Sequence, residues 1–199
     1  MEALIIFKWY LLFLAFGIIG LAVGRKVFKD WPDRGYGISK FLGLLVTALP
    51  LWFLASLKVI PFNQVTVFIS IAILLVWAVR ALVVSGFKLT RLMLLEEAIF
   101  TGLFIFWCLV RSTSPQIEGT EKFMNLAFMN AINRSEFLPP PDPWYVGGTI
   151  NYYYLGHYLF VFASKFWGIA QSFTYNLAME IAPEFGVEPS APVSRIAMY

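Results

Sequence analysis

Between two hydrophobic runs the chain carries one polar stretch, Arg111–His157, where Glu121, Lys122, Asp142, Asn151, three consecutive tyrosines and the single histidine gather. These residue types move protons and hold charge. A carboxylate accepts a proton, an imidazole gives or takes one near neutrality, and phenols and amides orient a ligand through hydrogen bonds. His157 has no Cys, Asp or second His at ligand spacing, which argues against metal ligation and for hydrogen bonding or proton transfer. Thr120 makes a plausible N-cap for a helix over Glu121–Arg134, and on its wheel Glu121 shares a face with Met124, Phe128, Ala131 and Ile132. A carboxylate on an apolar face either has a task or partner there, or simply offsets the helix dipole in the first turn.

A helix beginning at Asn151 would place Asn151, Tyr154, Tyr158, Val161 and Lys165 within an arc of roughly 80°, with His157 beside it and Tyr152 and Tyr153 pointing elsewhere. The tyrosines serve equally well as an interfacial belt, and Trp144 and Tyr145 read as headgroup-level anchors. Upstream, Leu138–Pro143 reads as a stiff polyproline-type spacer that holds its ends apart.

The elements that must position these residues are membrane helices. Hydrophobic residues make up 59% of the chain and charged ones 14%, outside the range of a soluble domain. The fold class is therefore all-α, a polytopic transmembrane bundle. A span needs about 20 apolar residues to cross roughly 30 Å of hydrocarbon. Five segments qualify: Ala3–Val23, Phe41–Val59, Val65–Val84, Leu92–Val110 and Ile150–Ala170. The expected organisation is four spans over 1–110, an outer loop with a juxtamembrane helix over 111–149, a fifth span over 150–170 and a short polar cytoplasmic tail over 171–199. The first span is too long for a secretory h-region and lacks a cleavage site. Cys108 stands alone inside the fourth span, so neither an intrachain disulfide nor a cysteine metal site can form. The net charge of +3 comes without a basic cluster interleaved with aromatics, which excludes nucleic acid as a partner.

Arg25, Lys26, Lys29, Arg34 and Lys40 crowd the loop after span one, and Lys88 and Arg91 the loop after span three. The positive-inside rule makes both loops cytoplasmic, placing the N-terminus, the Pro61 turn and the 111–149 loop outside a cell membrane. Lys8, Lys58, Arg80 and Lys165 read as snorkelling anchors, the first two near outer ends and the last two near inner ends. Glu96 and Glu97 suit the dipole at the start of span four, about 100° apart and thus unable to line one pocket together.

The run GTEKFMNLAFMNAINRSEFLPPPDPWYVGGTINYYYLGHYL resembles the signature of the YYY membrane protein family, the likeness extending over about Pro115–Asn176. Members of that family are similar to GT-C glycosyltransferases, polytopic enzymes that use lipid-linked sugars. The resemblance implies transfer from a polyprenyl-phosphate sugar at the outer face. Glu121 would act as general base or as carboxylate ligand to a divalent metal, with Asp142 as the second acidic candidate. Asn151, Tyr154, His157, Tyr158 and Trp144 would support binding, and Lys122 or Arg111 would neutralise the leaving phosphate. Both groups of proteins are much longer, so the chain reads as an N-terminal portion of such a protein. The other readings are a non-catalytic subunit or docking scaffold for further membrane subunits on its outer loop, or an inactive truncated fragment. Membrane lipid is a partner under all of them.

Overall fold

The computed structural model describes residues 2–113, 120–151 and 153–181, without the side chains of Glu2, Thr120, Glu121 and 179–181. The order is α1 (Glu2–Val27), α2 (Ser39–Ser56), α3 (Gln64–Val84), α4 (Arg91–Ser112), α5 (Thr120–Arg134), α6 (Leu155–Trp167) and α7 (Gln171–Ile181). Among the described residues four helices, α1 to α4, are long and apolar enough to cross a membrane. The two basic loops share one end of the bundle, because Arg25 donates to the Ser85 hydroxyl and sits by the Phe87 ring. The Pro61 turn marks the opposite end.

α1 and α2 pack backbone to backbone. A Cβ on Gly20 would lie 1.8 Å from the Ser39 carbonyl oxygen, and one on Gly43 would lie 1.8 Å from that of Phe16. Small residues are what allow helices this close in lipid, where apolar side chains gain little by leaving the bilayer. α3 begins in a capping box, Asn63 Oδ1 accepting from Thr66 N at 3.0 Å and Thr66 Oγ1 from Asn63 N at 3.1 Å. Its exposed apolar side chains, such as Phe68, Ile73 and Val76, suit a lipid-facing surface.

The expected fifth span is corrected. α6 has 13 residues, about 20 Å of helix, which is too short for the hydrocarbon core. Asn151 lies outside it and Tyr154 is its N-cap, because the chain arrives in an extended loop. Gly168, at φ +65°, ends it in the left-handed conformation that glycine takes without strain. The polar-tail expectation fails over 171–181, where α7 is helical and buries Gln171, Thr174, Tyr175 and Leu177. α7 meets the last turn of α4, so it lies at the same end as α5 and not at the basic end. Residues 182–199 lie outside the described residues.

Helices α5, α6 and α7 therefore form a cap at the Pro61 end. Lys165 is the second correction. It is no snorkelling anchor at the basic end: its Nζ donates to Phe62 O at 2.8 Å and Asn133 O at 2.9 Å, over the Phe62 ring at 4.0 Å. One cation thus joins the Pro61 turn, the C-terminus of α5 and α6. Phe62 N to Glu136 O and Leu138 N to Ala55 O complete the attachment. The proline segment forms one arm of a turn. Asp142 N bonds Gly148 O, Ile150 N bonds Pro140 O, and Pro141 bridges Thr149, so the loop folds back on itself.

Two outcomes follow. Gly20→Ala should lower the melting midpoint in detergent by the equivalent of about 1–3 kcal/mol of overpacking. Gly102→Ala, with nothing within 4 Å of its Cβ, should leave it unchanged. Equal midpoints would remove the close crossing as a constraint. Burial lowers the Lys165 ammonium from 10.5 to about 8. Between those values the unfolded chain binds more protons, so the Lys165 contribution makes stability rise with pH. Lys165→Met should flatten that rise and lower stability near neutrality, because two carbonyls lose their donor. An unchanged slope in the variant would show that Lys165 is solvated.

Candidate functional site

The cap brings part of the nominated set together. α6 meets α5 through its first turns, where His157 Nε2 lies 3.1 Å from Asn125 Oδ1. With the amide oxygen accepting, Nε2 carries the proton. Burial holds the imidazole below its ordinary value, only partly opposed by the Tyr153 backbone, so the ring is neutral at physiological pH. The Phe128 edge packs on His157 at 5.9 Å and on Trp144 at 5.5 Å. Three elements, α5, α6 and the proline loop, thus converge on one aromatic ring.

Tyr154 and Tyr158 share an arc as expected, one helical turn apart. Trp52 Nε1 donates to the Tyr154 hydroxyl at 3.2 Å. Tyr158 is wholly buried and donates to Ala48 O on α2 at 2.9 Å, and burial lifts its phenol far above the ordinary value. Its hydroxyl is used by the packing of α6 on α2. Asn151, outside the helix, is exposed, and so is Tyr153. Tyr152 lies outside the described residues.

Other nominated residues are engaged by the fold. Asp142 Oδ1 accepts from Trp144 N at 2.8 Å and Tyr145 N at 3.2 Å, an Asx-type cap on its own turn. Arg111 donates to Asn176 Oδ1 from Nη2 at 2.7 Å and from Nε at 3.1 Å, tying α4 to α7. Lys122 is half-buried and holds no hydrogen bond or ion pair among the described residues. The Glu121 side chain lies outside the described residues. Its backbone position is one turn before Asn125 on the same face of α5. No group of three His, Cys, Asp or Glu side chains able to hold a metal occurs among the described residues.

Asn125 and Trp52 complete the cluster and are not singled out by the sequence reading, which sets Phe128 only on the apolar face of its helix. For Asn125 a signal existed, since it stands four residues after Glu121. A second polar cluster, nearer the basic end, escaped altogether. Lys40 Nζ pairs with Glu97 Oε2 at 2.5 Å. Tyr36 donates to the same oxygen at 2.7 Å, and Tyr10 to Oε1 at 3.1 Å. Glu97 is thus bound from α1, α2 and their connecting loop, where the sequence suggested only a dipole-stabilising role. The pair cancels charge inside the bundle and fastens α4, which otherwise packs little, to α1 and α2.

No curated protein and no solved structure matches the chain. A family model described as "Uncharacterized membrane protein (DUF2298)" matches residues 46–187, spanning α2 from its midpoint, α3, α4 and the whole cap. The chain is thus a multi-pass membrane protein that belongs to the DUF2298 family.

Proposed function

We propose that the cap at the Pro61 end receives the polar head of a membrane-borne substrate, and that the chain carries part of a GT-C-like glycosyltransferase using a polyprenyl-phosphate sugar. One arrangement supports this reading. The face of α5 that bears Asn125 and Phe128 is turned to the first turns of α6 and the neutral His157, and position 121 stands one helical turn before Asn125. A carboxylate supplied from position 121 to a neutral imidazole and a carboxamide would suit proton removal from a hydroxyl and its orientation. Lys122, without a partner among the described residues, is the nominated cation best able to meet the leaving phosphate. The Pro61 end would face outward across a cell membrane.

Orientation is checked by impermeant thiol labelling of whole cells. Tyr145→Cys should react and Asp30→Cys should not; the reverse pattern places the cap inside.

The catalytic part is checked by sugar transfer from a lipid-linked donor, in membranes that carry the full-length protein. Glu121→Gln should lower the rate by about 10²–10⁴-fold. Asp142→Asn should change it less than about twofold, because an amide oxygen keeps both turn hydrogen bonds. Wild-type turnover by Glu121→Gln would end the catalytic reading.

A second reading, a docking subunit for another membrane protein, draws on the loop tip. Trp144, Tyr145 and Val146 are 60%, 70% and 99% exposed, an uncharged aromatic projection on a braced turn. Under that reading a Trp144→Ala, Tyr145→Ala double variant should lose co-purification of a membrane partner while the fold is kept. Retained partner binding would count against the docking reading.

A further inference from the structure

At the basic end a cleft of about 710 Å³ opens between α1 and α3. Arg25 and Lys26 from α1 and Arg80 from α3 line it, with Trp77 and Ser85, and no acidic residue takes part. Arg25 is held by the Ser85 hydroxyl and the Phe87 ring. Lys26 and Arg80 have no hydrogen bond or ion pair among the described residues, and both are exposed. Asp33, the buried acid of the adjoining loop, is turned away to the amides of Gly35 and Gly37, at 3.2 Å and 2.9 Å.

Charge decides the ligand. The C-termini of α1 and α3 meet at this end, and each carries roughly half a negative charge, so together they offset about one of the three cations. About two positive charges are left over. The apolar side is equally telling. Ile73, Val76, Trp77, Arg80, Ala81 and Val84 recur at the i, i+3, i+4, i+7, i+8 and i+11 spacing of one helix face. Ile73 and Val76 are each 62% exposed along that stripe. From Arg80 back to Ile73 the stripe extends roughly 10 Å toward the middle of the bundle. Snorkelling anchors would not need a shared cleft with an apolar wall leading away from them.

We propose that this cleft is a binding site for an anionic phospholipid, its phosphate held by Lys26, Arg80 and Arg25 and its acyl chain laid along Ile73 and Trp77. A free phosphate would use the cations and leave the wall unoccupied. Basic pockets between transmembrane helices have this kind of ligand elsewhere.

The test uses the full chain, delipidated in detergent and supplied with phosphatidylglycerol, phosphatidylcholine or inorganic phosphate. Phosphatidylglycerol should raise the melting midpoint, and the other two should not. Lys26→Gln with Arg80→Gln should weaken phosphatidylglycerol binding about 30-fold, from roughly fivefold per cation. Arg25 is left in place because it also braces the Ser85 end of α3. Native mass spectrometry of the same samples counts bound lipid directly, so a variant of altered stability still reports. Equal binding of phosphatidylcholine, an equal response to inorganic phosphate, or undiminished binding by the double variant would each overturn the site.

Discussion

One ammonium group is the point at which three elements of the cap and the bundle meet. α6 is too short to be anchored by crossing the bilayer, and a 15-residue amphipathic helix such as α5 is marginal by itself. They are fixed by burial against the bundle and by the point where the α5 C-terminus, the Pro61 turn and α6 meet at Lys165 Nζ. The carbonyl of Asn133 belongs to the last turn of α5, where no intrahelical donor is available. A buried cation without a carboxylate is costly, and here two carbonyl dipoles and the Phe62 ring face offset the cost. The position of His157, two turns back along α6, depends on this clamp. The geometry of the candidate site thus depends on a residue that has no chemical part in it.

The four long helices were legible because hydrocarbon imposes a length and a composition that can be counted. Their observed ends fall within a few residues of the expected ones, and α5 begins at Thr120, one residue before the expected start. The fifth span was misread for a physical reason. Apolar composition looks the same whether a helix faces lipid or protein, and α6 buries Tyr158, Val161, Phe162 and Ala163 completely. Only the neighbours distinguish the two cases. The stop at Gly168 was written in the sequence, as glycine directly after an apolar run, yet a lysine three residues earlier looked like an interfacial anchor and hid it.

The site was legible in register and illegible in partnership. Helical spacing correctly set Tyr154 and Tyr158 on one face. It could not pair His157 with Asn125, 32 positions away, or Tyr154 with Trp52, 102 positions away. Nor could it show that Glu97 binds Lys40, because each had an adequate local explanation as a helix-end acid and an orientation signal. Asp142 and Arg111 illustrate the converse. Residue type shows that a side chain must bond strongly, and these two bond within the fold.

The two ends of the bundle treat charge differently, and that difference bears on what each can bind. At the Pro61 end Lys165 and Arg111 are satisfied by carbonyl and amide oxygens of the protein itself, leaving a neutral imidazole and a carboxamide between α5 and α6. Such groups discriminate hydroxyl patterns, because a missing partner leaves a buried polar atom unpaired. They attract anions weakly. At the basic end Lys26 and Arg80 have no partner among the described residues and stand beside an apolar wall, a combination that attracts charge with little regard for hydroxyl pattern. A lipid at the basic end would therefore be selected by its charge, and a substrate head at the Pro61 end by its hydroxyl pattern, with Lys122 left to meet its phosphate.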